Sequence, residues 1–310
     1  MVGDFVSVDQ RNIEVDLDVW KKLKGEAIKR NKNLRQFVGE ILSDFIKTPK
    51  DNPKTLKAII IAAGMSTRLR PLTDDKPKCM LEIAGKTIIQ RQIEIFRSCG
   101  IDDIIVIRGY KKEKINYSGV KYVHNLNYRK NNILGSLMCA EHEMNSDVII
   151  TYSDILFEKH VVEKLMKSKA DVSVIVDKDW IKSYEGRSQH PVEEAENVVM
   201  SNGNVVKIGK ILNPNDAHGE FIGLLKLTKN GTGILKNEYG KLKISLGNDE
   251  PFQTASTFEK AYLTDMFQYM IDKGITVTPV IISSSWKELD TVEDFKNAEK
   301  LIMDKKAFNL

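Results

Sequence analysis

From residue 56 almost to residue 303, short apolar runs take turns with stretches in which apolar side chains return every third or fourth position. The run AIIIA at 58–62 has the length and β-branched content of a strand buried on both faces. Similar runs at 104–107, 120–124, 147–151, 171–176, 221–227 and 276–282 predict further strands. Between them, 87–99 sets Ile88, Ile89, Ile93 and Phe96 on one face and predicts a helix ended by Gly100, while 258–271 and 292–303 predict two more helices. Residues 198–208 turn at Asn202-Gly203, a strong hairpin signal. Strands alternating with helices imply an α/β domain with a mixed, mostly parallel, Rossmann-like sheet. In such a sheet, ligands gather at the carboxyl ends of the strands.

Ahead of residue 50 the pattern is different. Val6, Val8, Ile13 and Val15 punctuate an extended stretch, and Asp16 can cap a helix carrying Trp20, Leu23, Ala27 and Ile28. Asn33 can cap a second helix with Leu34, Phe37, Val38, Ile41, Leu42, Phe45 and Ile46 on one face. One strand and two short helices cannot bury this much apolar surface alone. TPKDNP at 48–53 reads as a linker, which divides the chain into residues 1–50 and 51–310. The order and spacing of the first module resemble a ribbon-helix-helix unit, and the resemblance implies a homodimer whose strands pair across a two-fold axis. That family can place its ribbon in the major groove of DNA. Here the outward residues would be Gln10, Asn12 and Glu14, which offer a carboxylate and no lysine or arginine. Dimerisation is therefore expected in preference to DNA binding; a helical hairpin packed on the larger domain is the plainer alternative.

Composition narrows the class. The chain has 310 residues, 42% of them hydrophobic and 29% charged, with a formal net charge of +4. That excess is too small to argue for nucleic acid and suits anionic small molecules. Cys79, Cys99 and Cys139 are scattered without metal-ligand spacing, which suggests a reducing compartment, no disulfide framework and no zinc site. No apolar run approaches a membrane span and the first residues lack a signal-peptide shape, so a cytoplasmic protein is expected.

The first predicted strand opens into Ala62-Ala63-Gly64-Met65-Ser66-Thr67-Arg68, followed by Arg70, Pro71, Lys76, Pro77 and Lys78. Small residues with free backbone N–H groups and fixed cations suit a polyphosphate. The stretch is neither GxxxxGK[ST] nor GxGxxG. AAGMSTRLRPLTDDKPKCML resembles the signature of nucleotidyltransferases of the sugar-nucleotide pyrophosphorylase type, with Ser66 where glycine is usual. The resemblance implies that residues 62–67 wrap a nucleoside triphosphate, that Arg68 holds its phosphates and that Lys78 contacts the reacting phosphoryl group.

Such chemistry calls for positioned cations and Mg²⁺, an ion that prefers oxygen ligands. Asp154, after a predicted strand, and Asp290, in WKELDT, resemble the family's two metal aspartates; each could instead cap a helix. Glu288 is a candidate supporting acid. Gly109-Tyr110 and Asn131-Asn132 with Ser136 resemble the base and ribose contacts of small-molecule cytidylyltransferases, notably the phosphocholine type, which implies CTP; plain helix capping by the asparagines is the alternative. Residues 177–196 resemble the acceptor loop of nucleotidyltransferases in phosphonate biosynthesis. That resemblance implies Arg187 and His190 as anion contacts, and Asp179, Trp180 and Tyr184 around a polar or cationic tail, with Glu220 as a further acid. The expected activity is Mg²⁺-dependent transfer of CMP from CTP to 2-aminoethylphosphonate or 2-hydroxyethylphosphonate. Alternatives are a phosphocholine cytidylyltransferase, a sugar-phosphate nucleotidyltransferase and, in another class, a nucleotide-sensing DNA-binding regulator.

Overall fold

The computed structural model describes residues 17–47, 56–210 and 212–303. By its contacts the chain divides into two units, Met1–Lys54 and Thr55–Leu310. In the first, α1 (Leu17–Lys29) and α2 (Leu34–Lys47) form a pair. As expected, Asn33 caps the second helix, its Oδ1 accepting the Gln36 N–H at 2.9 Å. Ala27 and Phe37 are buried, whereas Leu17, Trp20, Ile28 and Ile41 stay exposed. The ribbon expected at residues 6–15 lies outside the described residues.

The second unit starts with β1 (Lys57–Ala62). After the signature loop come the two-residue strands β2 (Glu82–Ile83) and β3 (Lys86–Thr87), then α3 (Ile88–Ser98), β4 (Ile104–Arg108) and β5 (Lys121–His124). The chain continues through α4 (Ile133–Met138), β6 (Val148–Tyr152), β7 (Ile155–Phe157), α5 (Lys159–Lys167) and β8 (Val172–Asp177). A hairpin, β9 (Asn197–Ser201) and β10 (Asn204–Gly209), leads to β11 (Gly219–Leu227) and α6 (Lys229–Leu246). Last are α7 (Leu263–Asp272), β12 (Thr278–Ile282), β13 (Trp286–Glu288) and α8 (Val292–Met303).

The main sheet is mixed. β5, β4, β1 and β6 are parallel, and β11 joins β6 antiparallel. β8 pairs the far edge of β11 and is itself paired in parallel by β12. Period-2 burial sorts β1 between the two faces: Ile59 and Ile61 join the side covered by α4, α6 and α7, while Ala58, Ile60 and Ala62 meet α3 and α5. A third cluster, with Leu69, Ile83, Leu156, Leu289 and Ala298, seats α8 beneath the signature loop. No helix among the described residues is long and apolar enough to cross a membrane.

One irregularity opens the sheet. β11 shifts register between Phe221 and Leu225, and one of its edges pairs β9 at Gly219–Glu220 but β6 from Leu224 onward. Gly223, at φ +79°, makes the bend, and a Cβ there would collide with the ring of Tyr152. Only glycine meets both demands. The parting of β9 from β6 leaves a gap at the carboxyl end of β6, and a cleft lies there.

Candidate active site

The cleft encloses about 300 Å³ and adjoins a smaller recess of about 130 Å³. Lys78, Tyr152 and Asp154 line both. The recess is walled by Ala62, Ala63, Gly64 and Ser66 on one side and by Asn131, Asn132 and Ser136 on the other. Most residues expected around the nucleotide therefore share one pocket. Ser66 sits in the left-handed region at φ 49°, a conformation that favours glycine and explains why the signature usually has glycine there. Its carbonyl accepts the Thr73 hydroxyl at 2.8 Å.

Gly109 and Tyr110 serve differently from expectation. Neither lines the cleft or the recess. The Tyr110 N–H donates to the Ala63 carbonyl at 3.1 Å, and its hydroxyl donates to the carbonyls of Thr73 and Asp74 at 3.1 and 2.8 Å, so the residue straps the loop down. A Cβ on Gly109 would stand 2.6 Å from the Ala63 oxygen. Asn132 caps α4, its Oδ1 accepting the Ile133 N–H at 2.9 Å, as the plainer alternative anticipated. Asn131 and Ser136 are held by the buried Asn125 amide, which donates to them at 2.8 and 2.9 Å.

Asp154 and Asp290 come together through a ladder that the sequence pattern did not reveal. Asp154 sits between β6 and β7, and β7 pairs antiparallel with β13, Ile155 opposite Glu288. The Leu289 N–H then donates to the Asp154 carbonyl at 2.9 Å. Lys78 bridges the two acids, with Nζ 3.1 Å from Asp154 Oδ2 and 2.5 Å from Asp290 Oδ1. Arg68 Nη1 lies 2.7 Å from Asp290 Oδ2 and 2.6 Å from Glu194 Oε2. Burial works against the charge on Lys78, but Asp154 and Asp290 outweigh it and raise its pKa. Burial likewise opposes ionisation of Asp290, yet Lys78 and Arg68 hold it down at about 2. Arg68, Lys78 and Asp290 are therefore charged at neutral pH.

A second set of acids lines the far side of the cleft. Glu196, Glu220 and Glu288 all face it. Glu220 is buried; its Oε1 accepts the Tyr184 hydroxyl at 2.6 Å, and its Oε2 has no hydrogen-bond partner. Burial, then the neighbouring Glu288, pushes its pKa well above the ordinary carboxylate value. Glu196 accepts from Tyr152 and Thr264, both at 3.2 Å, and is also raised by burial. Burial and the charges of Asp290 and Asp154 push Glu288 up to about 8. The site thus has Arg68 and Lys78 paired with acids on one side and, on the other, Glu220 and Glu288 raised by burial beside Glu196, which Lys210 faces.

Four of the expected acceptor contacts do not line the cleft. Arg187 does not reach the cleft: its Nε and Nη2 lie 2.8 and 2.9 Å from Asp294 on α8, and Nη2 is 3.5 Å from Glu288. A buried guanidinium beside two carboxylates is drawn to them. Trp180 is buried and packs edge-on against Tyr184, with ring centroids 5.7 Å apart, and Asp179 points to Lys182 at 3.6 Å, away from the cleft wall. Tyr184 acts one step back, through Glu220. His190 and Glu220 do line the cleft. Tyr152, Glu194, Glu196, Lys210 and Tyr262 also line it; the two glutamates end the 177–196 stretch without having been singled out within it, and the other three belong to no motif.

Asp154 and Asp290 fit a divalent cation on their chemistry. Both are oxygen donors, and the buried Oδ1 of Asp154 has no hydrogen-bond partner.

Comparison with known proteins agrees with this geometry. A MobA-like NTP transferase domain matches residues 58–207. The chain is 33% identical over 253 residues to the CTP:phosphoglutamine cytidylyltransferase of Campylobacter jejuni, across 78% of this chain and 98% of that protein. It is 38% identical over 117 residues to the choline-phosphate cytidylyltransferase of Streptococcus pneumoniae, covering 36% of this chain and 51% of that one. The solved CTP:phosphocholine cytidylyltransferase of Streptococcus pneumoniae superposes with a TM-score of 0.60 over 80% of this chain and 99% of its own, at 24% identity, which shows a common fold. With its signature loop, paired aspartates and bridging lysine in one cleft, the chain belongs to the nucleotidyltransferases, as an enzyme that groups with the cytidylyltransferases.

Proposed function

We propose that this enzyme transfers CMP from CTP to a small acceptor that ends in a phosphoryl or phosphonyl group and carries an amine, with release of pyrophosphate. The observation that carries the acceptor class is the acidic pocket: Glu196, Glu220 and Glu288 line a cleft whose other rim is cationic. A buried carboxyl with an unpartnered oxygen, as at Glu220 Oε2, is costly unless a donor arrives, and an ammonium supplies both charge and hydrogen bonds. The rim then receives the anionic end.

In this reading Arg68 draws the triphosphate in and Lys78 balances charge that builds on the α-phosphoryl oxygens as an acceptor oxygen attacks. Asp154 and Asp290 would hold Mg²⁺, which when bound neutralises phosphate charge and favours departure of pyrophosphate. Ser66, Thr67 and the backbone of residues 62–65 line the triphosphate, and Asn131 and Ser136 the nucleoside. Tyr110 keeps the loop in place. No protein nucleophile is required.

The acceptor is tested with CTP and a set of phosphorylated amines, scored by pyrophosphate release. 2-Aminoethylphosphonate should exceed 2-hydroxyethylphosphonate in kcat/KM by at least about tenfold, since a charge-assisted hydrogen bond is worth roughly 1.5–3 kcal/mol. Glu220→Gln should erase most of that ratio while leaving the KM for CTP near its starting value. Equal use of the two phosphonates would refute the amine reading. The phosphoglutamine named for the Campylobacter relative belongs in the same panel, because it too pairs an anionic end with an amine.

We also propose that residues 1–50 dimerise the chain. Leu17, Trp20, Ile28 and Ile41 leave α1 and α2 with apolar surface that a second copy would cover. Removal of residues 1–54 should turn a dimer into a monomer in sedimentation velocity and leave turnover unchanged. A truncated chain that stays dimeric would overturn this.

A further inference from the structure

The loop that follows Arg187 brings two more ligand-type residues to Asp290. His190 Nδ1 lies 3.5 Å from Asp290 Oδ2, and one donor atom each from His190, Glu194 and Asp290 fall within 4.8 Å of one another. The His190 side chain is 3% exposed, and its Nδ1 makes no hydrogen bond. A buried imidazole nitrogen left without a partner beside two carboxylates is a donor set awaiting a cation. One cation already stands there: Arg68 Nη1 touches both Glu194 and Asp290.

The two oxygens of Asp290 face different neighbours. Oδ1 meets Lys78, which also holds Asp154, whereas Oδ2 faces Arg68, Glu194 and His190. Arg68 is half exposed and, among the described residues, its side chain is tethered by these ion pairs, so it can be exchanged for another cation; Lys78 is buried. When Arg68 leaves, Asp290 Oδ2, Glu194 and the buried imidazole lose the cation between them, while Lys78 stays on Oδ1. Ligand atoms on a coordination sphere of about 2.1 Å stand roughly 3–4 Å apart, so the three need only small adjustments to close on one ion.

We propose that His190, Glu194 and Asp290 Oδ2 form a second divalent-cation site, separate from the Asp154–Asp290 pair and exchangeable with the Arg68 guanidinium. One imidazole with two carboxylates suits ions of the Mn²⁺ and Zn²⁺ kind better than Mg²⁺, which prefers an all-oxygen shell. Asp290 would then offer Oδ2 to this ion while its Oδ1 stays toward Lys78 and Asp154, and the ion would supply further positive charge beside the phosphates. The site makes residues 177–196 a participant in metal binding, and it is independent of which acceptor the enzyme uses.

The test uses the full-length protein with Mn²⁺ alone, free of nucleotide and acceptor. Binding is followed by loss of the free-ion EPR signal, and imidazole ligation by nitrogen modulation in pulsed EPR. Arg68→Ala removes the resident cation and should bind one more Mn²⁺ than the wild type, at least tenfold tighter at that site, with nitrogen modulation. His190→Gln in the Arg68→Ala background should abolish the modulation. Glu194→Gln, at a partly exposed position that should not trouble folding, should weaken the added ion about tenfold and keep the modulation. If Arg68→Ala gains no ion, gains one without nitrogen modulation, or keeps the modulation after His190→Gln, the site does not exist.

Discussion

Lys78→Ala should lower kcat by about a thousandfold or more, with a much smaller effect on the KM for CTP. Loss of one preorganised donor to a developing oxyanion costs roughly 10²–10³ in rate, and a buried full charge should lie at or above the upper end. Two features single out Lys78. It is buried, so no solvent screens its charge, and it stands between Asp154 and Asp290. Removing it also takes the counter-charge from Asp290, whose carboxyl should then titrate closer to its ordinary range. Single-turnover rates with saturating CTP and acceptor would measure the loss directly. A kcat within tenfold of wild type would show that Lys78 balances the aspartates rather than the reacting phosphate. Arg68→Ala provides a contrast, because that side chain is half exposed and its loss should fall more on the KM for CTP.

Arg187→Ala should damage stability far more than acceptor binding. The Arg187 and Asp294 side chains are 8% and 4% exposed, and their pairing joins the 177–196 loop to α8. Breaking a buried pair by deleting one partner costs about 3–5 kcal/mol, since the carboxylate left behind has lost its compensation. For a domain of this size, that corresponds to a fall in Tm of roughly 10 °C. The Asp294 carboxylate is not left wholly bare, because it also accepts the backbone N–H groups of Asp290 and Thr291 at 3.1 and 2.9 Å. Calorimetry would give the loss, and the acceptor KM measured well below the new Tm should move less than about threefold. A large change in acceptor KM with an unchanged Tm would restore Arg187 to the role first expected from its sequence context.

That reversal illustrates what could be read from the sequence. An arginine in a loop that resembles an acceptor loop looks free to bind an anion, because Asp294 lies 107 residues further along the chain. Trp180 misled in the same way: an aromatic beside two aspartates suggests a cation box, yet its ring is part of the core. The signature loop was legible because its residue types are dictated locally, by backbone turns and phosphate-sized gaps. Asp154 and Asp290 were legible from family order, but the β7–β13 ladder that joins them was not, since each strand has only three residues. α6 escaped because Gly231, Gly233 and Gly240 break its apolar period. At Gly231 a Cβ would strike the Asp171 carbonyl, so close packing chose the residue against helix propensity. Glu196 and Lys210 flank the β9–β10 hairpin, and their meeting in the cleft depends on the bend at Gly223, which residue spacing does not announce.

The β7–β13 ladder also bears on the order in which the molecule is built. Sheet strands β1, β4 and β6 are all made before residue 153, yet Asp154 meets Asp290 only when Trp286–Glu288 has closed a loop of well over a hundred residues. Closing so distant a contact is entropically slow and comes late. A chain still emerging from the ribosome therefore has β1, β4 and β6 before it has either the second aspartate or the α8 surface on which Leu69 of the signature loop packs. A chain cut short before Trp286 would carry the residues of the signature loop but not the acid opposite them.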